Sequence, residues 1–181
     1  MNFKKVSCEV LATTLFFSSL CAAPTLAEKK NPAVTPGTSG NGVLAEFKRC
    51  SVPAATLPKD CDDTRKQIVR INGVVKLYQK GNKALLADLI TGAIDSDTYL
   101  GETYGAFFAG VAVKNPSEFL QAVSTKKKPE DRETLYRITA LSFADAQVSK
   151  VNKSLQKMAS QKTDKLSSFA QEFLTEIKNS R

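Results

Sequence analysis

Chemistry near neutral pH most often starts from histidine, and this sequence has none. That removes the commonest general base, the Ser-His and Cys-His nucleophile pairs and the commonest metal ligand. Carboxylates, lysines and cysteines are left. The densest carboxylate group is Asp95, Asp97 and Glu102, set with Tyr99 and Tyr104 at the start of an aromatic-rich stretch. Two carboxyl groups about 5–10 Å apart hydrolyse a glycosidic bond when one of them is kept protonated. The competing reading is plainer. Asp95 and Asp97 sit at the positive end of a helix and cap it, and Glu102 is solvated one turn later.

Other motifs fail at particular residues. "DSDTYLGE" begins like a calcium loop, with acids at positions 1 and 3, but Tyr99, Leu100 and Ala106 occupy positions 5, 6 and 12. Ser124–Lys127 and Ser154–Lys157 match Ser-x-x-Lys, yet no Ser-Asp-Asn or Lys-Thr-Gly accompanies them. No catalytic residue, metal ligand or cofactor is assigned on these patterns.

The cysteines are read together with the start of the chain. Lys4 and Lys5 precede the nearly uncharged stretch Val10–Ala23, and Ala22-Ala23-Pro24-Thr25-Leu26-Ala27 follows with small residues. This predicts a secretory signal peptide cut after Ala27. A lipoprotein reading through Cys21 is poorer, because Leu20 stands where a small residue is required. Export leaves Cys50 and Cys61, at the two ends of "CSVPAATLPKDC". The spacing is not the Cys-x-x-Cys of a redox pair, and a zinc site lacks partners. Pro53 and Pro58 let the chain fold back, so one structural disulfide is expected. Closing that 12-residue loop is worth about 3 kcal/mol on the chain-entropy model.

Removing Lys4, Lys5 and Glu9 from 26 basic and 18 acidic residues leaves 24 and 17 in residues 28–181, a formal charge of +7. Outside the cytoplasm such an excess suits an acidic protein or an anionic envelope polymer, and nucleic acid is not expected. Lys126, Lys127 and Lys128 fall in a turn, and Lys150, Lys153 and Lys157 recur at helical spacing. These six are the candidate contacts for an anionic partner; their competing reading is a solvated turn and a solvated helix face.

The elements that must position these groups are helical. Residues 28–42, "EKKNPAVTPGTSGNG", lack large apolar groups and read as a flexible tether, leaving 43–181 as one domain. A short first helix is predicted over Val43–Cys50. Asn72-Gly73 is a hairpin signal, but Ile68, Ile71, Val75 and Tyr78 keep helical period and Gly81 supplies a stop, so 67–79 is read as helix. Asn82, and Asp95 or Ser96, are expected caps. Pro116 and Pro129 open two further helices, the second carrying Leu135, Ile138, Leu141 and Phe143. Two helices follow from Val148, with Thr163 as the expected cap of the last. The whole predicts an all-α, compact domain of seven or eight helices. The stretch Leu85–Leu141, with its Asn-Pro and Lys-Pro helix starts, resembles HEAT-like helical repeats, which implies stacked helix pairs. In "GETYGAFFAG", Gly101 and Gly105 leave one side of a helix bare, for close packing or for a partner's side chains.

On these grounds the expected function is an exported, non-catalytic binding or adaptor protein of the cell envelope. One alternative is an inhibitor of a cell-wall-degrading enzyme, acting through loop 51–60. Another is a glycan-acting enzyme using Asp95, Asp97 and Glu102.

Overall fold

The computed structural model describes residues 40–181 apart from Lys162; the expected signal peptide and most of the tether lie outside them. Eight α-helices follow: α1 Gly40–Cys50, α2 Thr64–Gln79, α3 Leu85–Ile94, α4 Thr98–Lys114, α5 Pro116–Ser124, α6 Pro129–Leu141, α7 Asp145–Ala159 and α8 Ser167–Asn179. Two short 3-10 turns, Ala54–Thr56 and Lys59–Cys61, lie between α1 and α2. No strand occurs among the described residues, and no helix there is long and apolar enough to cross a membrane. The domain is all-α. Gly40–Gly42, read with the tether, belong to α1.

Local chemistry sets most boundaries. Asp63 caps α2 by accepting from the Lys66 N–H at 3.2 Å, and Gly81, at φ +111°, ends that helix. Asn72 and Gly73 lie inside α2. Its interior glycine has a packing reason: a β-carbon at Gly73 would come within 2.7 Å of Val43 Cγ1 on α1. Asn115 caps α5 ahead of Pro116, accepting from the Glu118 N–H at 3.3 Å. Three expected caps are corrected. Asp97, not Asp95 or Ser96, caps α4; Ala84 rather than Asn82 precedes α3; and α8 starts at Ser167, beyond Thr163.

The helices close around α4, which touches α2, α3, α5, α6 and α7. A repeat array would give each pair contacts only with adjacent pairs. One hydrophobic core runs through the domain, and Phe173 of α8 joins three of its aromatic side chains. That ring lies 4.9 Å from Tyr136, 5.3 Å from Phe119 and 6.0 Å from Phe143. To bring Tyr136 to this cluster, α6 turns a different face inward than the Leu135–Ile138–Leu141 stripe suggests. Tyr136, Thr139 and Ala140 are buried with Leu135, while Leu141 is 66 % exposed. Thr139 is tolerated there because its hydroxyl donates to the Leu135 carbonyl at 2.6 Å.

Candidate functional site

Cys50 and Cys61 are joined as expected, with their Cα atoms 5.4 Å apart. The loop they close borders a pocket of about 360 Å3 with mixed polar and apolar walls, faced by Gln67 and Arg70 of α2 and by the Asp95–Asp97 turn. Two further ties fix the loop. Arg49 donates to both Asp60 oxygens, at 3.0 and 2.5 Å, and Gln67 Nε2 donates to the Cys61 carbonyl at 2.5 Å. The Arg49 guanidinium holds the Asp60 carboxyl below its ordinary value, as the Lys66 N–H does for Asp63. Gly92 lets the loop approach α3: a β-carbon there would lie 2.6 Å from Tyr104 Oη and 3.0 Å from Ser51 Oγ. Burial pushes the Tyr104 phenol up. Arg70 gives Nε and Nη2 to Glu46 Oε1, at 3.0 and 2.7 Å, while its buried Nη1 has no partner among the described residues.

The three acids do not converge on one cavity. Asp95 lines the disulfide pocket, Glu102 lines a separate concavity of about 560 Å3 between α4 and α6, and Asp97 borders both. Asp97 Oδ1 is engaged at 2.8 Å by the Leu100 N–H, so its role is the cap. Among the described residues no group of three or more His, Cys, Asp or Glu could hold a metal ion.

The six lysines fall on two elements. Lys150, Lys153 and Lys157 are exposed on α7, and Lys127 and Lys128 are exposed in the α5–α6 turn. Lys126 is turned back to α3, its Nζ donating to Thr91 Oγ1 at 2.8 Å. No hydrogen bond or ion pair among the described residues links the two groups.

A larger groove, about 860 Å3, runs between α2 and α4. Val75, Phe107 and Val111 supply its apolar lining, and Gly110 borders open space in it, since a β-carbon there would meet nothing within 4 Å. A polar cluster lies beside this lining. Tyr78 Oη donates to Glu118 Oε1 at 2.7 Å, and Asn115 Nδ2 donates to Glu118 Oε2 at 3.1 Å. Lys83 Nζ lies 4.0 Å from the centre of the Tyr78 ring and 3.7 Å from Glu118. Burial, then the bond to Glu118, raises the Tyr78 phenol; contact with Tyr78 raises the Lys83 ammonium. Lys114 adds a second cation to the lining.

No family model, curated protein or solved structure matches this chain. Its functional reading therefore rests on these concavities.

Sequence reasoning missed the residues that shape them. Gly92 sits in an ordinary apolar helix, and nothing local reveals that Tyr104 and Ser51 converge on it. Tyr78, Lys83 and Glu118 come from three segments, up to 40 positions apart. A glycine within an apolar helix marks both Gly92 and Gly110 as points of close approach or open space, without saying which.

Proposed function

We propose that the chain is an exported, non-catalytic binding module of the cell envelope, with the α2–α4 groove as its recognition surface. The observation that carries this is the groove itself: an apolar floor with open space beside Gly110, edged by Lys83 and Lys114. Such a floor takes the apolar side chains of a partner segment; Lys83 is already paired with Glu118, and Lys114 with the net positive charge favours an acidic segment. The occupant is therefore an acidic segment of a partner protein. Export is supported by the N-terminal pattern and by the disulfide, which persists in oxidising compartments.

The test is co-purification of residues 28–181 from envelope extract at low and high salt, beside a Lys83→Glu/Lys114→Glu variant. A protein partner is expected at both salt levels, weakened by the double variant mainly at low salt. Recovery of an anionic polymer alone, removed by salt and unaffected by the variant, would move recognition to the lysines of α7. An empty result would contradict the binding reading.

One observation favours an inhibitor as a second reading. Loop 51–60 is braced by the disulfide and the Arg49–Asp60 pair, and Pro53, Ala55 and Thr56 are exposed on it. A preorganised loop binds with little ordering cost. Inhibition of a wall-degrading enzyme that is lost in Ala55→Asp, with the α2–α4 groove intact, would establish it.

A further inference from the structure

The chain carries a formal charge of +8, yet two of its concavities, the disulfide pocket and the cleft between α6 and α8, are each lined by three acids and one base. The cleft between α6 and α8, about 550 Å3, is lined by Glu133, Glu172 and Glu176 together with Arg132, Tyr136 and Pro129. Arg132 does not cancel this charge. Its Nε and Nη2 hold Glu172 at 3.0 and 3.1 Å, and Nη1 donates to the Lys126 carbonyl at 3.1 Å, fastening the α5–α6 turn to α8. Arg132 thus neutralises Glu172 alone. Glu133 and Glu176 have no ion-pair partner among the described residues; Glu176 has only the Ser180 hydroxyl, at 3.4 Å. A second and independent feature lies in the same wall. Tyr136 is 2 % exposed, and its hydroxyl has no hydrogen-bond partner among the described residues. Buried hydroxyl groups without partners are uncommon in folded proteins, because leaving one unpaired is costly.

We propose that the α6–α8 cleft binds an aliphatic ammonium ligand, its cationic head facing Glu133 and Glu176 within reach of Tyr136 Oη and its short hydrocarbon body against Pro129. An ammonium group carries three donors and no acceptor, which suits two carboxylates and a phenolic oxygen. A carboxylate ligand would meet like charge. A neutral alcohol would satisfy the tyrosine and leave the carboxylates unused. The inference is independent of the α2–α4 groove, which lies on other helices.

The experiment titrates the oxidised chain with hexylammonium, hexan-1-ol and hexanoate while following backbone amide resonances. Hexylammonium is expected to shift α6 and α8 signals saturably, about tenfold more tightly than hexanol, with no saturable shift from hexanoate. Glu133→Gln/Glu176→Gln should abolish the preference for the cation. Tyr136→Phe should weaken hexylammonium by about tenfold while leaving thermal stability unchanged or raised, since no internal bond is lost. Equal binding of hexanol and hexylammonium would reduce the cleft to an apolar dent and overturn the proposal. So would hexylammonium shifts confined to other helices, or their absence.

Discussion

On α4, Gly105 faces α6 and Gly110 borders the groove along α2, and the space each glycine leaves is used differently. At Gly105 the space is already filled: a β-carbon would overlap the Ile138 carbonyl oxygen and Ser142 Oγ, so the two helix backbones touch. At Gly110 it is empty. The same residue type, five positions along one helix, permits a tight joint on one side of the domain and borders open space on the other. The sealed side is backed by α6, α8 and the Phe173 cluster. The open side is bounded by α2, which is held through α1 and the disulfide loop. Glycine alone thus says that a backbone is bare; what packs beside it decides whether the result is a joint or a groove.

The largest effect should come from the sealed side. Phe173→Ala removes a fully buried ring touching three other aromatic side chains and is expected to cost about 3–5 kcal/mol. Denaturant unfolding would measure it, and a cost under about 1 kcal/mol would show that the cluster does not hold the sealed side together. Next, Cys50→Ala/Cys61→Ala should cost about 3 kcal/mol. Hydrogen exchange should then quicken in α1 and α2 before α6 and α8; an equal rise throughout would erase the distinction between the two sides. Gly105→Ala is expected to lose about 2 kcal/mol despite the better helix former, because the obstacle is backbone.

The smallest effect concerns pH. Asp60 is held below its ordinary value of 3.8 by Arg49, so its contribution is present above that pH and is lost as pH falls through the lowered folded value. Asp60→Asn should therefore shrink the acid-induced loss of stability below about pH 4, read from melts across pH. Identical pH profiles for the two proteins would show that the Arg49–Asp60 pair does not brace the loop.

Much of the fold was legible because it is written locally. Proline at the first position of α5 and α6, the acids before α2, and Gly81 after it each act on their own helix end. The disulfide followed from counting the cysteines outside the expected signal peptide. What was not legible depends on which face turns inward. On α6, Leu141 has the spacing of a core residue, but stacking Tyr136 on Phe173 rotates the helix and leaves it in solvent. Thr139 hides the true buried face, since its polar group is satisfied only by a backbone carbonyl invisible in the sequence. The carboxylate triad dissolved for a similar reason: Asp95, Asp97 and Glu102 are close in sequence, yet the α3–α4 turn sends Asp95 and Glu102 to different concavities. Both grooves are built from residues on separate helices, so only the fold could reveal them.

The most direct test of the account is Gly110→Leu. A β-carbon at this position meets nothing within 4 Å and leucine is a better helix former than glycine, so stability should hold or rise by up to about 1 kcal/mol and the melting temperature should not fall. The same side chain fills the groove, and co-purification from envelope extract should lose the protein partner that the unsubstituted chain retains. A stable Gly110→Leu protein that still brings down that partner in equal yield would contradict the assignment of the α2–α4 groove as the recognition surface.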